Sequence, residues 1–232
     1  MGLALVLLLS ACHVKVQVDA TVRPDGSGIV TVAVGLDHEA LARVGDLRSQ
    51  LHVADLEAAG WKVSEPATTS DGYTWVRASK SFEDTAQLGQ VMAQVNGSDG
   101  MFRDWKVTKS SSPWSSSWTA TGTIDLSKGV EALSDPQLDK SLGSTGYQGV
   151  IKDIERREGE PIDQMVDVQV SVSVPGATKV FTPSLGAAHP VPVHVTSTKV
   201  NGLAGFALLA VAVSLLAVAL LFLRSRFVHH RR

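Results

Sequence analysis

One cysteine, Cys12, stands among 232 residues. No disulfide can form within the chain, so its stability has to come from a hydrophobic core. A surplus of positive charge is also lacking. Residues 13–202 carry 17 Lys and Arg against 23 Asp and Glu, a net charge of −6. That balance argues against the clustered basic surface that nucleic acid requires. Catalytic signatures are missing as well. His13, His38, His52, His189 and His194 have no carboxylate or cysteine partner at ligand spacing. No serine sits in a Gly-x-Ser-x-Gly elbow. Glu155, Glu158 and Glu160 lie among Arg156 and Arg157, as on a solvated helix face. Neither enzyme activity nor a metal or cofactor is expected, and there is no tandem repeat.

What is present concentrates first at the two ends. Leu9-Ser10-Ala11-Cys12 follows the apolar stretch Gly2 to Leu9. It reads as the cleavage and lipidation site of a bacterial lipoprotein, with 1–11 as signal peptide and Cys12 as the modified residue. No Lys or Arg precedes that stretch, where a signal peptide has a positive end, so the start is expected a little upstream. Leu203 to Leu223 contains no charged residue. Its 21 residues would span about 30 Å as a helix at ~1.5 Å per residue, the thickness of a bilayer core. Basic residues Arg224, Arg226, Arg231 and Arg232 follow it, which places 224–232 on the cytoplasmic side. The expectation is a bacterial plasma-membrane protein, lipid-anchored and single-pass, with 12–202 as its extracytoplasmic domain.

Within that domain, His13 to Val22 alternates apolar and polar residues, Arg23-Pro24-Asp25-Gly26-Ser27-Gly28 is turn chemistry, and Ile29 to Leu36 forms the partner strand. Asp37 or Asp46 can cap a helix whose face runs through Leu47, Leu51, Ala54 and Ala58, with Gly60 as terminator. Tyr73 to Phe82 reads as a strand with Thr74, Val76, Ala78 and Lys80 on one face. Leu88, Val91, Met92 and Val95 mark a helix from Asp84. Extended segments follow at Met101 to Thr108, Trp114 to Leu126 and Val166 to Val174, with helical patches near Val130 to Leu133 and Val150 to Arg156. Ala177 to Gly202 is expected to hold a terminal strand or a stalk. The fold class implied is α+β: a mainly antiparallel sheet with two or three helices on one side, plus one C-terminal transmembrane helix. A β-sandwich is the alternative, weakened by the helical stretches before residue 96.

These pieces resemble the LppM family of actinobacterial envelope lipoproteins. The resemblance rests on Leu9-Ser10-Ala11-Cys12, the turn Asp25-Gly26-Ser27-Gly28, the valine ladder ending in Val174-Pro175-Gly176, and the span 203–223. The chain departs from the family after Gly176, where Ala177 to Ser197 lacks the usual Asn-Gly turn and Trp-containing strand. The resemblance implies an α/β domain with a hydrophobic groove that binds envelope glycolipids, particularly phosphatidylinositol mannosides.

Two functions stay open. One is a module that binds or handles envelope lipids or glycolipids; the other is a structural or adaptor domain that docks another envelope protein. Five tryptophans favour the first, since their rings pack on acyl chains and sugar faces. Trp61, Trp75 and Trp105 read as core. Trp114 and Trp118, in Ser-rich sequence, read as surface candidates. Asn96-Gly97-Ser98 reads as a helix end rather than a glycosylation acceptor. The ligand-binding residues and the oligomeric state are not legible at this level.

Overall fold

The computed structural model describes residues 13–44, 53–96, 100–112, 114–129 and 146–200. Two strands open it, β1 (Val14–Val22) and β2 (Gly28–Leu36), paired antiparallel from Val14–Leu36 to Val22–Gly28 without a break. Their turn closes where the sequence placed it. Gly26 takes a φ of 97°, and the Ser27 N–H donates to the Asp25 carboxylate at 3.0 Å.

Helix α1 (His38–Val44) follows, and Asp37 caps it by accepting the Ala40 N–H at 2.7 Å. Asp46 lies outside the described residues. Helix α2 (Val53–Ala58) leads to the short strands β3 (Lys62–Val63) and β4 (Ala67–Thr68), then to β5 (Thr74–Phe82). A 3₁₀ turn at Thr85–Gln87, capped by the Asp84 carboxylate, opens helix α3 (Leu88–Asn96). Strands β6 (Phe102–Ser111) and β7 (Ser115–Ile124) precede α4 (Gly146–Glu158) and α5 (Ile162–Met165). Strands β8 (Val166–Val174), β9 (Ala177–Phe181) and β10 (Val191–Val200) complete the described chain.

The α+β class holds, but the expected arrangement needs correction. The strands divide into two sheets rather than one. A seven-stranded sheet runs β3-β5-β2-β1-β8-β9, with β4 also on β5, and a three-stranded antiparallel sheet runs β10-β7-β6. The large sheet is mixed, because β1 and β8 pair in parallel from Val14–Val166 to Thr21–Ser173. The reason lies in the area to be covered. Val18, Ala20, Val30, Val170 and Val172 form a broad apolar face that short helices cannot seal, and Trp118, Ala120, Ile124, Val193 and Val195 of the small sheet join it in one buried cluster. Helix α3 adds Leu88, Val91 and Met92 to that cluster.

A second correction concerns the membrane. Among the described residues, no helix is long and apolar enough to cross one. The longest, α4, has 13 residues and ends in the charged run Lys152-Asp153-Ile154-Glu155-Arg156-Arg157-Glu158. The expected transmembrane helix at 203–223, the basic tail 224–232, the signal peptide 1–11 and Cys12 all lie outside the described residues. The single-pass plasma-membrane placement, with its cytoplasmic C-terminus, is therefore not supported by any described helix. Hydropathy reports the composition of a run. Spanning also requires its backbone groups to be satisfied within a helix, and no described helix meets both conditions.

Candidate functional site

On strand β5, Thr74, Val76, Ala78, Lys80 and Phe82 share the face that β2 lines with Leu36, Val34, Val32, Val30 and Gly28. The rungs fall into two apolar clusters. Val32 and Ala78 pack against the main core, whereas Val34 and Val76 belong with Leu36, Ala40 and Val63 in a smaller one. At the seam between them an apolar pocket of about 110 Å³ opens, lined by Val32, Val34, Leu56, Trp61, Val63, Val76, Ala78, Gln94 and Val95. Gln94 is its single polar residue.

Local backbone chemistry builds two of its walls. Helix α2 ends in a Schellman motif: the Trp61 N–H donates to the Leu56 carbonyl at 3.0 Å, and the Gly60 N–H to the Glu57 carbonyl at 2.9 Å. Gly60 sits at φ 83°, a conformation that glycine adopts without penalty. This motif brings the residue after the glycine back over the last helical turn, so Trp61 and Leu56 meet at the pocket. The sequence reading of Gly60 as a terminator is met here. Helix α3 supplies the facing wall, since Val95 continues the Leu88, Val91 and Met92 stripe to the edge of the main core, where it is partly buried and lines the pocket.

One charge borders this apolar seam. Lys80 projects on the same face of β5, paired with fully buried Val30. Its ammonium donates to the Ala59 carbonyl at 2.6 Å and to the Gln94 Oε1 at 2.7 Å. The first bond places a cation at the C-terminus of α2, where the helix dipole favours it. Together the two bonds tie α2 to α3 beside the pocket.

The residues singled out from sequence scatter. Trp61, Trp75 and Trp105 are buried, as expected, and Trp61 also lines the pocket. Trp114 is 48% exposed, but Trp118 is only 2% exposed. Its Ser-rich flanks suggested surface, whereas its register with Ala120 and Ile124 sets it on the core face of β7. Cys12 and His52 lie outside the described residues. Glu155 accepts the Ile162 N–H at 3.0 Å, Glu158 pairs with Arg43, and Arg156 and Arg157 both pair with Asp153. Glu155 and Glu158 thus tie helix α4 to α5 and α1, whereas the two pairs on Asp153 lie within α4 itself. Among the described residues, no three His, Cys, Asp or Glu side chains come close enough to hold a metal ion.

A second, larger cleft of about 580 Å³ lies beside β8 and has a mixed lining, with Lys15, Gln17, Asp163, Gln164, Asp167 and Gln169 beside Val16, Val166, Val168 and the loop Thr182 to Leu185. It exists because β9 covers β8 only from Val170 to Val174. The sequence missed the residues of both sites. For the apolar pocket the available trace was Lys80, a cation between Ala78 and Phe82 on one strand face.

No family model and no curated protein matches the chain. Among solved structures it is similar to the NMR structure of the Mycobacterium tuberculosis LppM protein folded domain. The identity is 14%, covering 82% of this chain and 91% of that one, with a TM-score of 0.36. That is a distant structural relationship.

Proposed function

We propose that this protein is a non-catalytic, LppM-like binding module that takes the apolar chain of a lipid or glycolipid. The pocket at the seam of the two clusters carries the reading. Eight of its nine lining residues are apolar, and they come from both helices and the sheet. The sequence resemblance through the lipobox, the turn at Asp25 and the valine ladder points to the same ligand class.

Magnitude limits what the pocket does alone. At about 30 Å³ per water-sized unit, 110 Å³ receives about four methylene-sized groups. At roughly 0.8 kcal/mol per buried CH₂ that is about 3 kcal/mol, less than the ~4 kcal/mol of a millimolar complex. The pocket therefore grips one chain end, and the rest of the affinity has to come from groups at its mouth.

Mass spectrometry of full-length protein purified mildly from its own cells tests the proposal. An acyl-bearing ligand retained at one per chain is expected, and Ala78→Leu, which fills the pocket, should release it while the variant stays folded. A folded protein that is empty, or a ligand retained equally by Ala78→Leu, overturns the reading. The alternative, a docking domain for another protein, has the larger cleft beside β8 as its surface. It would show as a protein co-purifying with the empty chain and lost on substitution of Asp167 and Gln169.

A further inference from the structure

We infer that the ligand of the apolar pocket carries an anionic head, and that Lys80 holds that head at the pocket mouth. The inference rests on the reading of the pocket as a lipid-chain site and names the chemistry of its polar end.

Three observations converge on Lys80. It stands on an amphipathic strand between pocket-lining Ala78 and buried Phe82, on the face that packs toward the pocket. Its side chain is partly exposed and both of its hydrogen bonds lie at the surface, so the ammonium sits at the rim of the apolar seam and is open to a ligand there. Both of its partners, the Ala59 carbonyl and Gln94 Oε1, are neutral, and no carboxylate pairs with it among the described residues. An ammonium has three N–H donors. Two are used, which leaves one donor and the positive charge free to meet a ligand group at the rim.

Placement agrees with this chemistry. Gln94 is both a pocket wall and a Lys80 partner, so the ammonium lies one hydrogen bond from the lining. Ala78 is two residues away on the same face, about 7 Å along the strand. Gly60 lies beside the ammonium: a β carbon there would stand 3.6 Å from its nitrogen, in ordinary van der Waals contact. A chain of a few carbons seated against Ala78 and Val76 would thus bring its head to Lys80. A carboxylate and a phosphate monoester both supply the required oxygens.

The test compares octanoate, octyl phosphate and 1-octanol on the full-length protein, following the chemical shift of the Trp61 indole N–H. Octanoate or octyl phosphate should bind about tenfold more tightly than 1-octanol, the factor that a charge-assisted hydrogen bond supplies. The stronger of the two identifies the head as carboxylate or phosphate. The preference should vanish in Lys80→Met and in Gln94→Glu, whose carboxylate pairs with the ammonium and offsets its charge without removing its Ala59 bond. Lys80→Arg should retain it. Equal binding of all three probes overturns the anionic head and leaves the pocket reading standing. An anion preference that survives in both Lys80→Met and Gln94→Glu overturns the role of Lys80. Failure of every probe to move Trp61 overturns the pocket reading itself.

Discussion

Trp75 lies against Gly35 across the β2–β5 pairing, so closely that a β carbon on Gly35 would stand 2.8 Å from the indole atoms Cδ2 and Cε2. The ring occupies the space that a side chain would take, and Trp75 is itself only 4% exposed. Gly35→Ala is expected to destabilise the fold by about 1–3 kcal/mol through overpacking. Denaturant unfolding measures this, and an unchanged midpoint would contradict the close approach.

The cap on α1 gives a second prediction. Asp37 accepts the Ala40 N–H at 2.7 Å and the His13 N–H at 2.7 Å, linking the helix start to the beginning of β1. Asp37→Ala should cost about 0.5–2 kcal/mol, whereas Asp37→Asn should cost less because its oxygen still accepts. The two variants compared by thermal unfolding distinguish capping from charge.

Asp25 provides a test in pH. The Ser27 hydroxyl, then the Ser27 N–H, stabilise its ionised form and hold its carboxyl below the usual carboxylate range, with Arg23 adding to the effect. A lowered folded value means that the turn gains from ionised Asp25 above the unfolded value of about 3.9. That gain is lost as pH falls through the folded value. An NMR titration of Asp25 should show this low midpoint. Ser27→Ala should move it upward, and an unmoved midpoint would exclude the hydroxyl as its main cause.

The two tryptophans of the β6–β7 hairpin should behave as opposites. Trp114→Phe should change stability by no more than about 0.5 kcal/mol and remove the emission most accessible to acrylamide. Trp118→Ala should cost about 3–5 kcal/mol, as for a large core truncation. Equal effects would mean that the hairpin register is wrong.

Legibility in the sequence followed distance along the chain. The β1–β2 hairpin shows plainly, because alternation and an Asp-Gly turn lie within 23 residues of each other. Strand β8 shows too, its five valines alternating up to Pro175-Gly176. The parallel contact of Val14 with Val166 leaves no local trace, so neither the mixed sheet nor its division from the small one was readable. The Ser-rich flanks of Trp118 mask its core position, which only its period with Ala120 and Ile124 shows. The pocket escaped for a similar reason. Leu56, Val76 and Val95 belong to three different elements, each with an ordinary amphipathic pattern. Only their assembly leaves the seam open.

The parallel seam between β1 and β8 also fixes an order of events during synthesis. Strand β1 lies inside the large sheet, yet its second neighbour begins at Val166. Until that part of the chain leaves the ribosome, β1 keeps a naked edge of backbone donors and acceptors. Such an edge invites pairing with another nascent chain. Closure over so long a loop is slow. A chain truncated before Val166 would lose more than its last strands: it would leave the first hairpin as an open template for aggregation.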